Sequence, residues 1–140
     1  MTSQPASKVK LGRLWWAGPL TILASIAGVL IVRVIAVTIL QPNPTPMSLG
    51  WMLPPLFTFI LVTGAVLVFA LVARFAKNPI RTYQIIALVF LLISLLPDIG
   101  FARSTMPGAS WPTAIALMIM HVMAWAICVV ILPKLSLEAI

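Results

Sequence analysis

ARFAKNPIR, residues 73–81, sets three cations, Arg74, Lys77 and Arg81, between two long runs that carry no charged residue, 51–73 and 82–97. Lys and Arg cost roughly 2.5–3.5 kcal/mol each at the centre of a membrane helix on insertion scales, so these cations mark a place where the chain leaves hydrocarbon. Asn78-Pro79 supplies the turn. The stretch therefore reads as a tight basic hairpin joining two membrane-spanning segments.

Working outward from that hairpin, four stretches meet the need for roughly 20 mainly apolar residues to cross a bilayer. They are about 14–40, 51–75, 82–101 and 111–133. Between them lie a proline-rich turn, QPNPTPMSLG (41–50), and a small polar loop, ARSTMPGASWP (102–112). No connection is long enough to be a domain, so residues 1–140 read as one membrane domain. The N-terminal run follows Lys8, Lys10 and Arg13, as a secretory signal would. Its apolar core is too long for one and no small-residue cleavage site follows, so it is expected to remain as the first span.

The composition agrees. Hydrophobic residues make up 62% of the 140 and charged residues 8%, with a mean hydropathy of +1.17; a water-soluble domain carries about 25% charged residues. Nine Lys and Arg face two acids, Asp98 and Glu138, for a net charge of +7. In a soluble chain that excess would point to nucleic acid, but here the cations cluster between apolar runs, so topology explains them and no nucleic-acid partner is expected. Translocated short loops avoid Lys and Arg. Three cations precede span 1, three sit in the 73–81 hairpin and Lys134 follows span 4, against Arg103 alone on the other side. Both termini are thus expected to be cytoplasmic. Trp15, Trp16 and Tyr83 fall at the expected inner interface, Trp51 and Trp111 at the outer one.

Backbone polar groups in lipid need internal partners, so the spans are helices. Short connections make neighbours antiparallel. The expected fold is an all-α, integral membrane four-helix bundle. SLGW (48–51) and GASW (108–111), 60 residues apart, also fit a duplicated hairpin. Gly18, Ala24 and Gly28 in span 1 and Gly64, Ala65 and Ala70 in span 2 permit close helix contact.

Counting 1.5 Å per residue puts Arg33 about 27 Å beyond Trp15 and Asp98 about 26 Å beyond Arg81, both at the outer end. Arg33 is expected either to pair with Asp98, with Arg103 as the competing cation, or to reach lipid headgroups. His121, the only histidine, is ten residues past Trp111 and counts to about 15 Å, near the midplane. On this count Asp98 and His121 lie more than about 10 Å apart in depth and form no direct dyad. A histidine facing lipid would leave ring nitrogens unsatisfied, so His121 is expected to face the interior, with Ser25, Thr63 and Ser94 as the hydroxyls in reach.

Met118, His121, Trp125 and Cys128 share one face of span 4. Packing around an interhelical hydrogen bond is the leading account of that stripe; a proton relay, a haem or pigment axial ligand and a metal site stay open. Metals and haem normally take further ligands, and no second imidazole exists. The single cysteine, Cys128, excludes an intramolecular disulfide. There is no paired carboxylate, Cys-x-x-Cys, phosphate loop or Ser-His-Asp set. No catalytic residue, metal or cofactor is expected.

RLWWAGPLTILASIAGVLIVR (13–33), FALVARFAKNPIRTYQIIALVFLLISLLPD (69–98) and ALMIMHVMAWAI (116–127) together resemble a family of small bacterial four-helix membrane proteins catalogued only as a domain of unknown function. The most recognisable elements are the 73–82 junction and Met120-His121. The resemblance implies a bacterial inner-membrane location and four spans, and carries over no activity.

Three functions follow in order of expectation. The first is a non-enzymatic integral membrane protein, either an accessory subunit of a larger complex or a lipid- or hydrophobe-binding bundle, with membrane lipids and a larger complex or a homo-oligomer as partners. The second is a small transporter or proton-coupled carrier using His121 and Asp98. The third is a haem- or pigment-binding protein with His121 as axial ligand.

Overall fold

The computed structural model describes residues 9–137. It contains α1 (Leu14–Leu40), α2 (Leu53–Phe75), α3 (Pro79–Ser94), α4 (Leu96–Ala102) and α5 (Trp111–Ser136), with short 3-10 turns at Leu11–Arg13 and Met47–Leu49. No strand occurs among the described residues beyond one bridge between Val9 and Leu137. The third crossing, Pro79–Ala102, consists of α3 and α4 on either side of Leu95, so four segments are long and apolar enough to cross a membrane. The fold is all-α, with four such helical segments.

Proline begins most of these helices. Pro54 and Pro55, Pro79, Pro97 and Pro112 occupy the first turns of α2, α3, α4 and α5, where a missing N–H costs nothing because it has no intrahelical partner. The same chemistry breaks the third crossing: Pro97 has no N–H to return to the carbonyl four residues earlier, and the helix ends and restarts at Leu95. At the end of α1, Gln41 adopts a left-handed conformation and its N–H closes on the Val37 carbonyl.

Several small polar side chains are turned inward among apolar ones, and many large apolar side chains stand outward. Thr21 and Ser25 are fully buried, and Thr58, Thr113 and Ser136 nearly so, while Leu23, Ile39, Leu67 and Phe90 stand outward. Helices that are apolar all round belong in lipid or in a large core, and a chain of 140 residues offers no such core. The inward hydroxyls are satisfied locally, by donating to the carbonyl four residues back: Thr21 to Ala17 (2.7 Å), Thr58 to Pro54 (2.7 Å) and Ser136 to Leu132 (2.7 Å).

α1 packs against α2 and α5, and α3 and α4 complete the bundle against α2 and α5. Glycine eases one approach: a Cβ at Gly28 would lie 2.8 Å from the tip of the Ile127 side chain of α5, which would have to move aside. Two apolar clusters result. One, around Ala17, Phe69, Tyr83, Val129 and Leu132, lies at the end where the chain begins and ends; the other, around Val29, Leu49, Leu117 and Met120, lies under the 41–50 loop. At the first end Lys10 N–H donates to Ser136 O (2.9 Å) and Arg13 to Leu137 O, so the two terminal segments meet at one end of the bundle. At the other, Gly108, at φ +77°, sits where a Cβ would fall 2.8 Å from Pro44 O, tying the two loops together.

Tyr83 departs from expectation. It is not an interfacial aromatic but a core residue, 1% exposed, packed edge-on to Phe69 at 4.9 Å between ring centres. Trp15 and Trp51, by contrast, are exposed.

Candidate functional site

His121 stands on α5 opposite the break in the third crossing. Its Nδ1 lies 2.8 Å from the Leu117 carbonyl, one turn back, and 3.0 Å from Asp98 Oδ2. A carbonyl only accepts, so Nδ1 carries the proton and donates it to Leu117. Asp98 Oδ2 receives no directed hydrogen bond, and its contact with the ring is an ion-pair approach from the side. Asp98 is 6% exposed, which makes this imidazole its compensating partner.

This corrects the expected separation of more than about 10 Å. α5 has 26 residues and is roughly 39 Å long, more than the hydrocarbon thickness, so Trp111 need not mark the boundary. Counted from the other end, His121 lies 15 residues before Ser136, about 23 Å, and Asp98 lies 19 residues after Pro79, about 28 Å. Side chains span that difference. The restart at Leu95 turns α4 onto α5 and brings the carboxylate inward.

Arg33 is satisfied elsewhere. Its Nε donates to the Leu49 carbonyl at 2.9 Å, and its guanidinium sits 3.6 Å from the centre of the Trp51 ring. It is 7% exposed, and no ion pair joins it to Asp98 among the described residues. Arg103 is exposed on the loop after α4 and does not reach Asp98 either. The outer-side trio is thus split three ways.

None of the three expected hydroxyls bonds His121. Ser25 is buried with its Oγ 4.0 Å from Cys128 Sγ. Thr63 donates to Phe59 O (2.6 Å) and Ser94 to Leu91 O (2.7 Å), both within their own helices. Ser94 nevertheless shares a space with His121. Between α2, α3 and α5 runs an apolar cavity of about 300 Å³, open on one side toward the bundle surface. His121 and Ser94 line one end; Tyr83, Trp125 and Cys128 line the other. Gly64 lies in its wall, and a Cβ there would meet nothing within 4 Å. Three residues of the α5 stripe, His121, Trp125 and Cys128, therefore border a void as well as their packed neighbours.

Two residues that line the cavity each carry a polar atom turned into protein. Tyr83 Oη and Trp125 Nε1 are both buried and have no hydrogen-bond partner. Tyr and Trp normally find a partner when buried, and leaving one unmade costs about 1–3 kcal/mol. Periodicity carried a signal for Tyr83, since 83, 87, 90 and 94 fall on one face and all four line the cavity. Nothing in the sequence marks Trp125 as unpaired. No group of three His, Cys, Asp or Glu side chains that would hold a metal occurs among the described residues.

The model of a family of unknown function, DUF6069, matches residues 6–136. No curated protein and no solved structure matches the chain.

Proposed function

We propose that this chain, which belongs to the DUF6069 family, is a non-enzymatic bacterial inner-membrane protein that holds a lipophilic molecule in the cavity between α2, α3 and α5. The observation that carries the reading is the cavity itself, about 300 Å³ with an almost wholly apolar wall and His121 and Ser94 on its border. A void of this size lined mainly by hydrophobic side chains with a few convergent polar groups has the make-up of a small-molecule site. Exposed apolar residues at the cavity's open side, Ile60, Leu61 and Phe90, fit entry from the bilayer.

Orientation belongs to the same proposal. Lys10, Arg13, Arg74, Lys77, Arg81 and Lys134 gather toward the end where the terminal segments meet, which supports a cytoplasmic position for that end. A cysteine introduced at Lys77 is expected to react with an impermeant maleimide only after the cells are opened.

The binding test is retention. Purification in mild detergent followed by mass spectrometry is expected to find a small lipophile bound to the native chain and lost from Gly64→Leu, whose Cβ meets nothing within 4 Å and whose branch takes up the void. Equal, empty spectra from both proteins overturn the reading. A second reading, a proton-coupled carrier, draws on the contact between His121 and Asp98 at the cavity's end. Proton-dependent solute flux into proteoliposomes that disappears in His121→Ala would put it first.

A further inference from the structure

We infer that a second pocket, between the end of α1 and the start of α2, binds the phosphate of a phosphate ester, held by Arg33 and by the positive end of α2. The pocket, of about 410 Å³, lies at the 41–50 loop and is walled by Arg33, Thr45, Trp51, Met52 and Leu53 among others. It shares no residue with the cavity between α2, α3 and α5, so the site stands apart from the hydrophobe-binding reading.

Arg33 is only partly satisfied. Its Nε donates to Leu49 O and its flat face covers Trp51, but neither contact supplies a negative charge. The guanidinium's two amino nitrogens make no hydrogen bond, and neither is among the enclosed, unpartnered atoms of the described residues, so both keep surface at the pocket wall. The only acid among the described residues, Asp98, faces His121. A charge buried to 7% exposure at the edge of hydrocarbon is thus left without an anion. Its two free amino groups form a planar fork that fits two oxygens of a phosphate.

The helix adds to the same field. Leu53, the first residue of α2, lines the pocket, and the first turn of that 23-residue helix carries neither an acid nor a side-chain cap. The partial positive charge at a helix start is therefore unopposed here. Pro54 and Pro55 remove two of the N–H groups, so α2 contributes charge more than hydrogen bonds.

The rim of the pocket selects the class of anion. Met47, Trp51 and Met52 line it and are exposed, and tryptophan sits at headgroup level in membrane proteins. Phosphodiesters are the anions of that level. A lipid phosphate on Arg33 would lay its glycerol and chains against the two methionines.

Calorimetric titration of the detergent-purified full chain tests the site with three probes: dioctanoyl phosphatidylglycerol, dioctanoylglycerol and glycerol phosphate. Phosphatidylglycerol is expected to bind at least tenfold more tightly than dioctanoylglycerol, which has the same tails and no phosphate. Arg33→Gln and Met52→Asp are each expected to weaken it at least tenfold, the worth of one charge-assisted hydrogen bond. Arg33→Gln gives up the contacts with Leu49 and Trp51 and puts folding at risk. Met52→Asp does not, because Met52 is exposed and immediately precedes α2, where an acid favours the helix. Lys77→Gln removes the same unit of charge at an exposed residue outside the pocket and is expected to change nothing. Glycerol phosphate that binds with the same dependence on the two variants identifies a soluble ester; a lipid that binds where glycerol phosphate does not identifies a membrane one, and both results support the site. Equal binding of the lipid with and without phosphate overturns it, as do indifference to Met52→Asp, an equal loss in Lys77→Gln, or no binding of either phosphate probe. The cavity is tested separately, by the Gly64→Leu comparison.

Discussion

Arg33 and Asp98 are both buried, at 7% and 6% exposure, in a bundle that is otherwise apolar, yet they are held in different ways. Arg33 is closed over by its own neighbourhood: Leu49 and Trp51, on the connection that follows α1, supply a carbonyl and a ring face. Asp98 has no such local help. Its partner, His121, is on another helix, and the two meet only because the third crossing breaks at Leu95. A charge close to a loop can be satisfied by folding the loop back. A charge at much the same depth that no loop folds over needs a second helix and a departure from regular geometry to reach it, which makes that region the more fragile one.

The difference is broken most directly at the pair that joins two helices. His121→Ala leaves the Asp98 carboxylate buried and unpaired and is expected to cost about 3–5 kcal/mol, the penalty for orphaning one member of a buried pair. Adding Asp98→Ala is expected to recover a large part of that loss. Thermal unfolding of the single and double variants in detergent measures both, and additive losses would show that the contact contributes nothing.

The loop-held charge is expected to respond less. Arg33→Ala removes one charged hydrogen bond and a stacked cation, together about 2–4 kcal/mol, and leaves no charge behind. Arg33→Lys is expected to recover little, because a lysine has neither the Nε that meets Leu49 nor the flat group that covers Trp51. A lysine as stable as the native arginine would mean that charge alone is needed there.

Pro97 sharpens the comparison from the backbone. It lies in the first turn of α4, where proline is tolerated, so Pro97→Ala is expected to change overall stability by no more than about 1 kcal/mol. The coupling between Asp98 and His121 is expected to fall, because an alanine allows the helix to run straight through Leu95. An undiminished coupling energy in the double-mutant cycle would remove Pro97 as the cause of the break.

The four crossings were legible because they rest on quantity. Long apolar runs, cations between them and prolines at their starts need no knowledge of which face looks inward. α1 spans 14–40 as expected, while α2 starts two residues late, at Leu53 before its prolines, and the third crossing starts three residues early, at Pro79. The site was legible only in its members. His121 was expected to face inward near polar company, and it borders a cavity with Ser94, but its partner was misjudged. A count from Trp111 treats α5 as ending flush with the hydrocarbon, which its 26 residues exceed, and the broken helix has no clear mark beyond Pro97. Tyr83 was misplaced for a related reason: a helix apolar all round has no hydrophobic face to orient it, so a residue near its end reads equally as belt or core.

The smallest expected effect tests the cavity against the packed remainder of the core. In a packed site Tyr83→Phe would remove a hydrogen bond and cost about 1 kcal/mol. Here the hydroxyl is buried at 1% exposure and bonds nothing, so the substitution removes only a desolvated polar group. Phenylalanine keeps the ring edge-on to Phe69, and the ligand-free protein is expected to be as stable as the native chain or slightly more so. Ser25→Ala, at a fully buried residue that does not line the cavity and whose Oγ lies by Cys128, serves as the packed comparison and is expected to cost a few tenths of a kcal/mol. Thermal unfolding of ligand-stripped protein separates the two. A clear loss in Tyr83→Phe would mean that the hydroxyl already has a partner within the bundle.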